Sequence, residues 1–232
     1  PTVEYWRANG SVVTGKIGPL RYAHDDRFLF AAVEIDEREH GGILQAAERA
    51  YTAIREFQKT SAFPHLLRMW NFMDAVNEGD GDLERYRQFC VGRARGLTDA
   101  GVESYPAATA IGRQVTTHEL QVFWLAGREE GTAVENPRQV SAYRYPRTHG
   151  PVSPSFSRAT VTKDGTLLIS GTARIVGHVS QHPGDPLAQL DETLRNLNVL
   201  IERASQHRSS GANVPVLLKV YVRDPAHVDT IA

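Results

Sequence analysis

The clearest signal in the chain is a switch between strand-like and helix-like spacing of apolar residues, made twice in the same order. Arg27-Phe28-Leu29-Phe30-Ala31-Ala32-Val33-Glu34-Ile35 is rich in β-favouring residues and predicts a strand. Beyond Gly41-Gly42, apolar positions recur at Ile43, Leu44, Ala47, Ala50, Tyr51, Ile54 and Phe57, the spacing of a helix with one apolar face. His65 to Met73 returns to a strand pattern. After a turn at Lys163-Asp164-Gly165 the order repeats: Leu167 to Ala173 predicts a strand of little charge, and Gly171 within it leaves room for close approach. Asp185-Pro186 then supplies an N-cap and a first helical residue. Leu187, Leu190, Leu194, Leu197 and Ile201 form the expected buried face of that helix, which should end near Ser205. Val216 to Val222 predicts a closing strand. Between the copies lie a further strand, Leu120 to Leu125, and a proline-rich connection from Asn136 to Pro154.

Strand, long helix, strand, used twice, predicts an α+β protein of two related units, each a mixed sheet with helices packed on one face. The units are read as 1–135 and 161–232, with 136–160 as the connection. The second unit is expected to stop short of its last helix and strand. Long connections of this kind often carry function.

Composition narrows the classes. With 232 residues, 41% hydrophobic and 23% charged, the chain can bury one substantial core or two that share an interface. A net charge of -1 creates no field to attract nucleic acid or an anionic membrane. No apolar run is long enough for a membrane span, which makes a cytoplasmic location the default expectation. Cys90 is the only cysteine, so an intrachain disulfide and a thiolate metal cage are excluded.

Several segments carry a resemblance. Ser170-Gly171-Thr172, the Gln189, Thr193-Leu194 and Asn196 positions, and Lys219-Val220-Tyr221-Val222-Arg223-Asp224 resemble the Rid/YjgF-like fold. A finer match runs through His65 to Asn71, Glu84 to Ala94, Tyr105 to Gly112, Glu135 to Tyr143, Pro154 to Ala159 and Ser170 to His178. Over these segments the chain resembles the chorismatases. The resemblance implies a cofactor-free enzyme that releases pyruvate from chorismate, giving a dihydroxycyclohexadiene carboxylate or 3-hydroxybenzoate. It also implies a monomer with pseudo-oligomeric packing of its units, and a catalytic glutamate on a last strand beyond Ala232. A Rid-type enamine or imine deaminase, or a non-catalytic small-acid binding protein, are the alternatives.

Chorismate is a compact dicarboxylate, and such a ligand is best held by planar bidentate cations and hydroxyl donors, which means Arg and Tyr. Tyr86 and Arg93 are seven residues apart, about two helical turns, and share a face if their segment is helical. Tyr143 and Arg158 bracket the connection, with Arg144, Tyr145 and Arg147 as close competitors. Arg93 and Arg158 are therefore expected to bind carboxylate while Tyr86 and Tyr143 donate hydrogen bonds. His178 and His182 are four apart, but Pro183-Gly184 follows and no third ligand is evident, so no metal is expected. Cys90 reads as a buried small hydrophobe. Glu135 and Glu192 read as solvated loop and helix charges rather than as substitute acids.

Overall fold

The computed structural model describes residues 4–8, 10–97, 105–207 and 217–231. A six-stranded sheet dominates it, built from β1 (Val13–Ile17), β2 (Leu20–His24), β3 (Phe28–Asp36), β4 (His65–Asp74), β5 (Ala107–Arg113) and β6 (Glu119–Gly127). The order is β1-β2-β3-β6-β4-β5, antiparallel except for the parallel β4 and β5 pair. A parallel pair needs a crossover, and α2 (Arg85–Gly96) supplies it. The earlier helix α1 (Ile43–Thr60) joins β3 to β4.

Strand alternation decides where the main core lies. Leu29, Ala31, Val33 and Ile35 of β3 and Leu120, Val122, Trp124 and Ala126 of β6 are buried. They meet Ile43, Ala46, Ala47, Ala50, Tyr51 and Ile54 of α1 and Phe89 and Cys90 of α2. The two helices approach closely because Gly92 and Gly96 face α1. A Cβ at Gly92 would stand 2.0 Å from the Leu44 carbonyl oxygen, and one at Gly96 would stand 2.6 Å from the Tyr51 Cβ. Inside this core the Tyr51 hydroxyl donates to Asn71 Oδ1 at 2.6 Å, and Asn71 Nδ2 donates to the Thr109 carbonyl at 3.0 Å. The paired polar groups thus stitch α1 to β4 and β5.

A three-stranded sheet follows, with β7 (Thr132–Val134), β8 (Ala159–Val161) and β9 (Leu167–Ile169) in that order. A short hairpin, β10 (Ile175–Val176) with β11 (Val179–Ser180), leads into α3 (Pro186–Ser205). Asp185 caps α3 by accepting from the Ala188 amide at 3.0 Å. A last short helix, α4 (Val228–Ile231), ends the described chain. The two sheets meet at β5. Ala107 and Ser157 form a parallel bridge, the Ala108 amide donates to Ser170 Oγ at 2.8 Å, and the Gly171 amide donates to the Ala108 carbonyl at 3.1 Å.

Three expectations are corrected. The strand predicted from Leu167 to Ala173 stops at Ile169, because the backbone beyond it turns to bond with β5 and the α3 residue Asn196. Val216 lies outside the described residues, and 217–222 is not a strand; its Leu217, Leu218, Val220 and Tyr221 are exposed. The leucine stripe on α3 is not the buried face either, with Leu187 54%, Leu194 39% and Ile201 39% exposed. Glu192, Asn196, Leu200 and Ala204 face inward instead, because Arg138, the hairpin carbonyls and β8 offer the polar residues partners and the small ones a packing surface. Spacing alone also left unpredicted the β1–β2 hairpin and β5.

Candidate active site

Tyr86 and Arg93 lie on one face of α2 as the seven-residue spacing requires. Arg93 is only 4% exposed. Its guanidinium lies 5.0 Å from the Tyr51 ring centroid, its Nη2 reaches Met69 Sδ at 3.8 Å, and its Nε has no hydrogen-bond partner. Tyr86 packs on Phe89 with ring centroids 6.2 Å apart and lies within electrostatic range of Arg93, Cys90 and Tyr145. Burial pushes its phenol well above the usual tyrosine range, although part of the residue remains accessible. Tyr86 is therefore a neutral hydroxyl, able to donate. Burial likewise pushes the Cys90 thiol up to about 11, the wrong direction for a nucleophile.

Arg158 arrives from the other side. Its segment bridges β5 at Ser157 and enters β8 at Ala159, which fixes its backbone between the two sheets. At 5% exposure, Nη2 donates to the Val140 carbonyl at 2.8 Å and to the Tyr145 hydroxyl at 2.9 Å, while Nε is unpartnered. The guanidinium stands 5.3 Å from the Phe156 ring centroid, and Phe156 packs against the main core beside Tyr86. A chain of neighbours, Arg93, Tyr86, Tyr145 and Arg158, thus spans from α2 to the connection. Among the described residues no carboxylate is within ion-pair distance of either arginine. Each guanidinium keeps donor capacity that the protein leaves unused.

Tyr143 lies in the same connection, but its ring packs 5.4 Å from Tyr105 with Arg144 over it. The tyrosine that touches Arg158 is Tyr145, two positions on. Composition could not separate the two, because both sit among arginines; the short helical turn at Ala142–Arg144 sets their different directions. Arg147 is engaged elsewhere, in an ion pair with Asp82.

His178 and His182, four apart in sequence, do not meet each other. His178 meets His149, with Nδ1 and Nε2 3.1 Å apart, and His182 approaches Glu192 at 3.6 Å. His149 also stacks near Tyr145 at 4.8 Å, and burial, then the His178 and Arg87 charges, lower its pKa. Among the described residues no group of three or more His, Cys, Asp or Glu could hold a metal ion. Glu192 is not solvated: it is 5% exposed and paired with Arg138, which holds its carboxyl below the ordinary range. Glu135 is not solvated either. Its Oε1 accepts from the Arg158 amide at 3.3 Å, and its Oε2 is buried and makes no hydrogen bond of good geometry. The position just after β7, facing the segment that carries Arg158, is a signal that only the β7–β8 pairing supplies.

A family described as "Chorismatase FkbO/Hyg5-like, N-terminal" matches residues 4–126. The chain belongs to this chorismatase family. A chorismatase of Streptomyces rapamycinicus is 37% identical, over 98% of this chain and 71% of its own length. A 3-hydroxybenzoate synthase of Streptomyces hygroscopicus is 33% identical, over 100% of this chain and 72% of its own. A chorismatase crystal structure superposes with a TM-score of 0.83 at 34% identity, covering 94% of this chain and 68% of that one. The chorismatase match extends past residue 126 and through the connection that carries Tyr143, Tyr145 and Arg158. No helix among the described residues is long and apolar enough to cross a membrane.

Proposed function

We propose that this chorismatase-family chain binds chorismate between α2 and the 136–160 connection and cleaves its enolpyruvyl ether, releasing pyruvate. One observation carries the reading: two guanidiniums, Arg93 and Arg158, are almost wholly buried, Tyr86 lies within electrostatic range of Arg93 and Tyr145, Tyr145 bonds Arg158, and among the described residues no carboxylate is within ion-pair distance of either arginine. Burying a cation unpaired is costly, and a ligand bearing two carboxylates offsets that cost at both ends. Tyr86 and Tyr143 complete the proposed substrate-binding set, with Tyr145 as the hydroxyl that orients Arg158.

The chemistry follows from the ligand. A proton delivered to the terminal methylene carbon of the enol ether turns the ether carbon into an oxocarbenium ion. Water adds to that carbon, the bond from it to the ring oxygen breaks as that oxygen takes a proton, and pyruvate leaves. The arginines fix the two carboxylates and so hold the ether in one pose while the proton is transferred. At the level of architecture we read 1–135 and 161–232 as two Rid/YjgF-like units joined by 136–160, with a helix packed on a sheet in each; β7 from the first unit and β8 from the end of the connection complete the second sheet.

The test is incubation of the protein with chorismate, with pyruvate and ring products followed by chromatography. Pyruvate appears in step with chorismate loss, and the ring product separates a dihydroxycyclohexadiene carboxylate from 3-hydroxybenzoate. Chorismate left intact would overturn the reading. Arg158→Ala removes charged hydrogen bonds worth about 1.5–3 kcal/mol and is expected to lower kcat/KM about tenfold to a hundredfold. Unchanged kinetics in a folded variant would remove Arg158 from the site.

A further inference from the structure

Glu135 lies beside Arg158, and its two oxygens are treated differently. Oε1 accepts from the backbone amide of Arg158 at 3.3 Å, while Oε2 is sealed from solvent and makes no hydrogen bond of good geometry, with the Ser141 hydroxyl as the donor group near the carboxyl. The carboxyl group thus holds the Arg158 backbone but forms no ion pair with the Arg158 guanidinium. A buried carboxylate oxygen without a well-placed donor is unfavourable when charged and much less so when protonated.

We propose that Glu135 is a protonation gate on the anion site: its carboxyl takes up one proton from solvent as a dicarboxylate ligand seats on Arg158, so that two carboxylate charges do not face each other beside that residue. The inference rests on the chorismate-binding role of Arg158 given above. No covalent bond of the ligand changes in this step; one proton passes from solvent to a Glu135 oxygen.

The surroundings support the direction. Burial raises the Glu135 pKa in the free protein, against the lowering effects of Ser141, the Arg158 amide, and the Arg158 and Arg144 charges. A ligand carboxylate brings one negative charge that offsets the positive charge of Arg158, so the pKa rises again on binding. The groups that face Glu135 are Arg158 from the segment entering β8, and Ser141 and Arg144 from the connection. One layer out, Tyr145 contacts Arg158, and His149 and His178 contact Tyr145. These histidines are present in the wild type and in a Glu135 variant alike, so a comparison of the two isolates the carboxyl group.

The sign follows from linkage. Binding with proton uptake is strongest below the free-protein pKa, weakens by up to about tenfold per pH unit between the free and bound values, and is level above both. In chorismate turnover, wild-type KM should therefore rise with pH while kcat does not share that slope. Glu135→Gln, neutral at every pH, should lose the slope and keep a low KM at high pH. Calorimetric titration of the wild type with a lactyl-ether analogue of chorismate, whose saturated side chain cannot be protonated, should show uptake of up to one proton in buffers of different ionisation enthalpy. That measurement needs no variant to fold. If no proton is taken up at any pH from about 5 to 8, or if Glu135→Gln keeps the wild-type slope, the gate is overturned. A Glu135→Gln loss of kcat of about a hundredfold or more would also overturn it, making Glu135 a chemical proton donor. Failure of the wild type to release pyruvate would count against the chorismate reading itself, and is scored separately.

Discussion

Arg93 brings a cationic side chain into the interior. In the free protein that charge is 4% exposed, with a ring face and a thioether sulfur as neighbours and an unpartnered Nε. A hydrophobic core tolerates this poorly, so the residue is best explained by what it binds. Arg93→Met should therefore leave stability unchanged or raise it by up to about 2 kcal/mol, while chorismate turnover falls by about a hundredfold or more. Chemical denaturation and a pyruvate assay on the same variant check both halves. A loss of stability above about 1 kcal/mol would show that the buried charge is compensated within the fold. Arg93, Arg158 and Tyr86 were legible as residue types, because a dicarboxylate restricts the chemistry that can hold it. The neighbours of Tyr145, His149 and Glu135 were not, because they depend on the turn at Ala142–Arg144 and the pairing of β7 with β8.

At the scale of elements, α2 carries Tyr86 and Arg93, and its distance from α1 decides where they point. That distance is set by absent side chains. Gly92 places α2 so near α1 that a Cβ would collide with the Leu44 carbonyl and the Ala47 methyl. Gly92→Ala should push the helices apart, costing about 1–3 kcal/mol as overpacking does, and should raise KM for chorismate because both side chains move with the helix. Thermal melting and steady-state kinetics test the two effects, and a variant with wild-type melting would show that α2 shifts without strain. The α1 face was legible because its apolar positions are the buried ones. The α3 face was not. Its leucines keep helical spacing yet stay exposed, and the polar Glu192 and Asn196 are buried, because Arg138 and the Ala173 and Ile175 carbonyls satisfy them. A polar residue with partners is as buriable as an apolar one, and a sequence pattern does not show partners.

The whole molecule is held together across the seam at β5. Ser170 Oγ accepts from the Ala108 amide and donates to the Ser157 carbonyl at 2.5 Å, so a single hydroxyl joins β5 to the segments on either side of β8 and β9. Ser170→Ala leaves buried backbone groups unpaired and should cost about 1–3 kcal/mol, read as a shift of the denaturation midpoint; an unchanged midpoint would show that the seam does not depend on it. The same seam carries Arg158 into place beside Tyr145. The sequence by itself determined the α+β class, the main helices α1 and α3 with the Asp185 cap, the chorismatase resemblance and the arginines suited to a dicarboxylate. These are properties of local spacing and residue chemistry, which act over a few positions. Only the tertiary structure decided which tyrosine meets Arg158, which histidines pair, which face of α3 turns inward and where Glu135 lies. Those outcomes depend on contacts between segments far apart in the chain, and spacing along one segment carries no record of its partner.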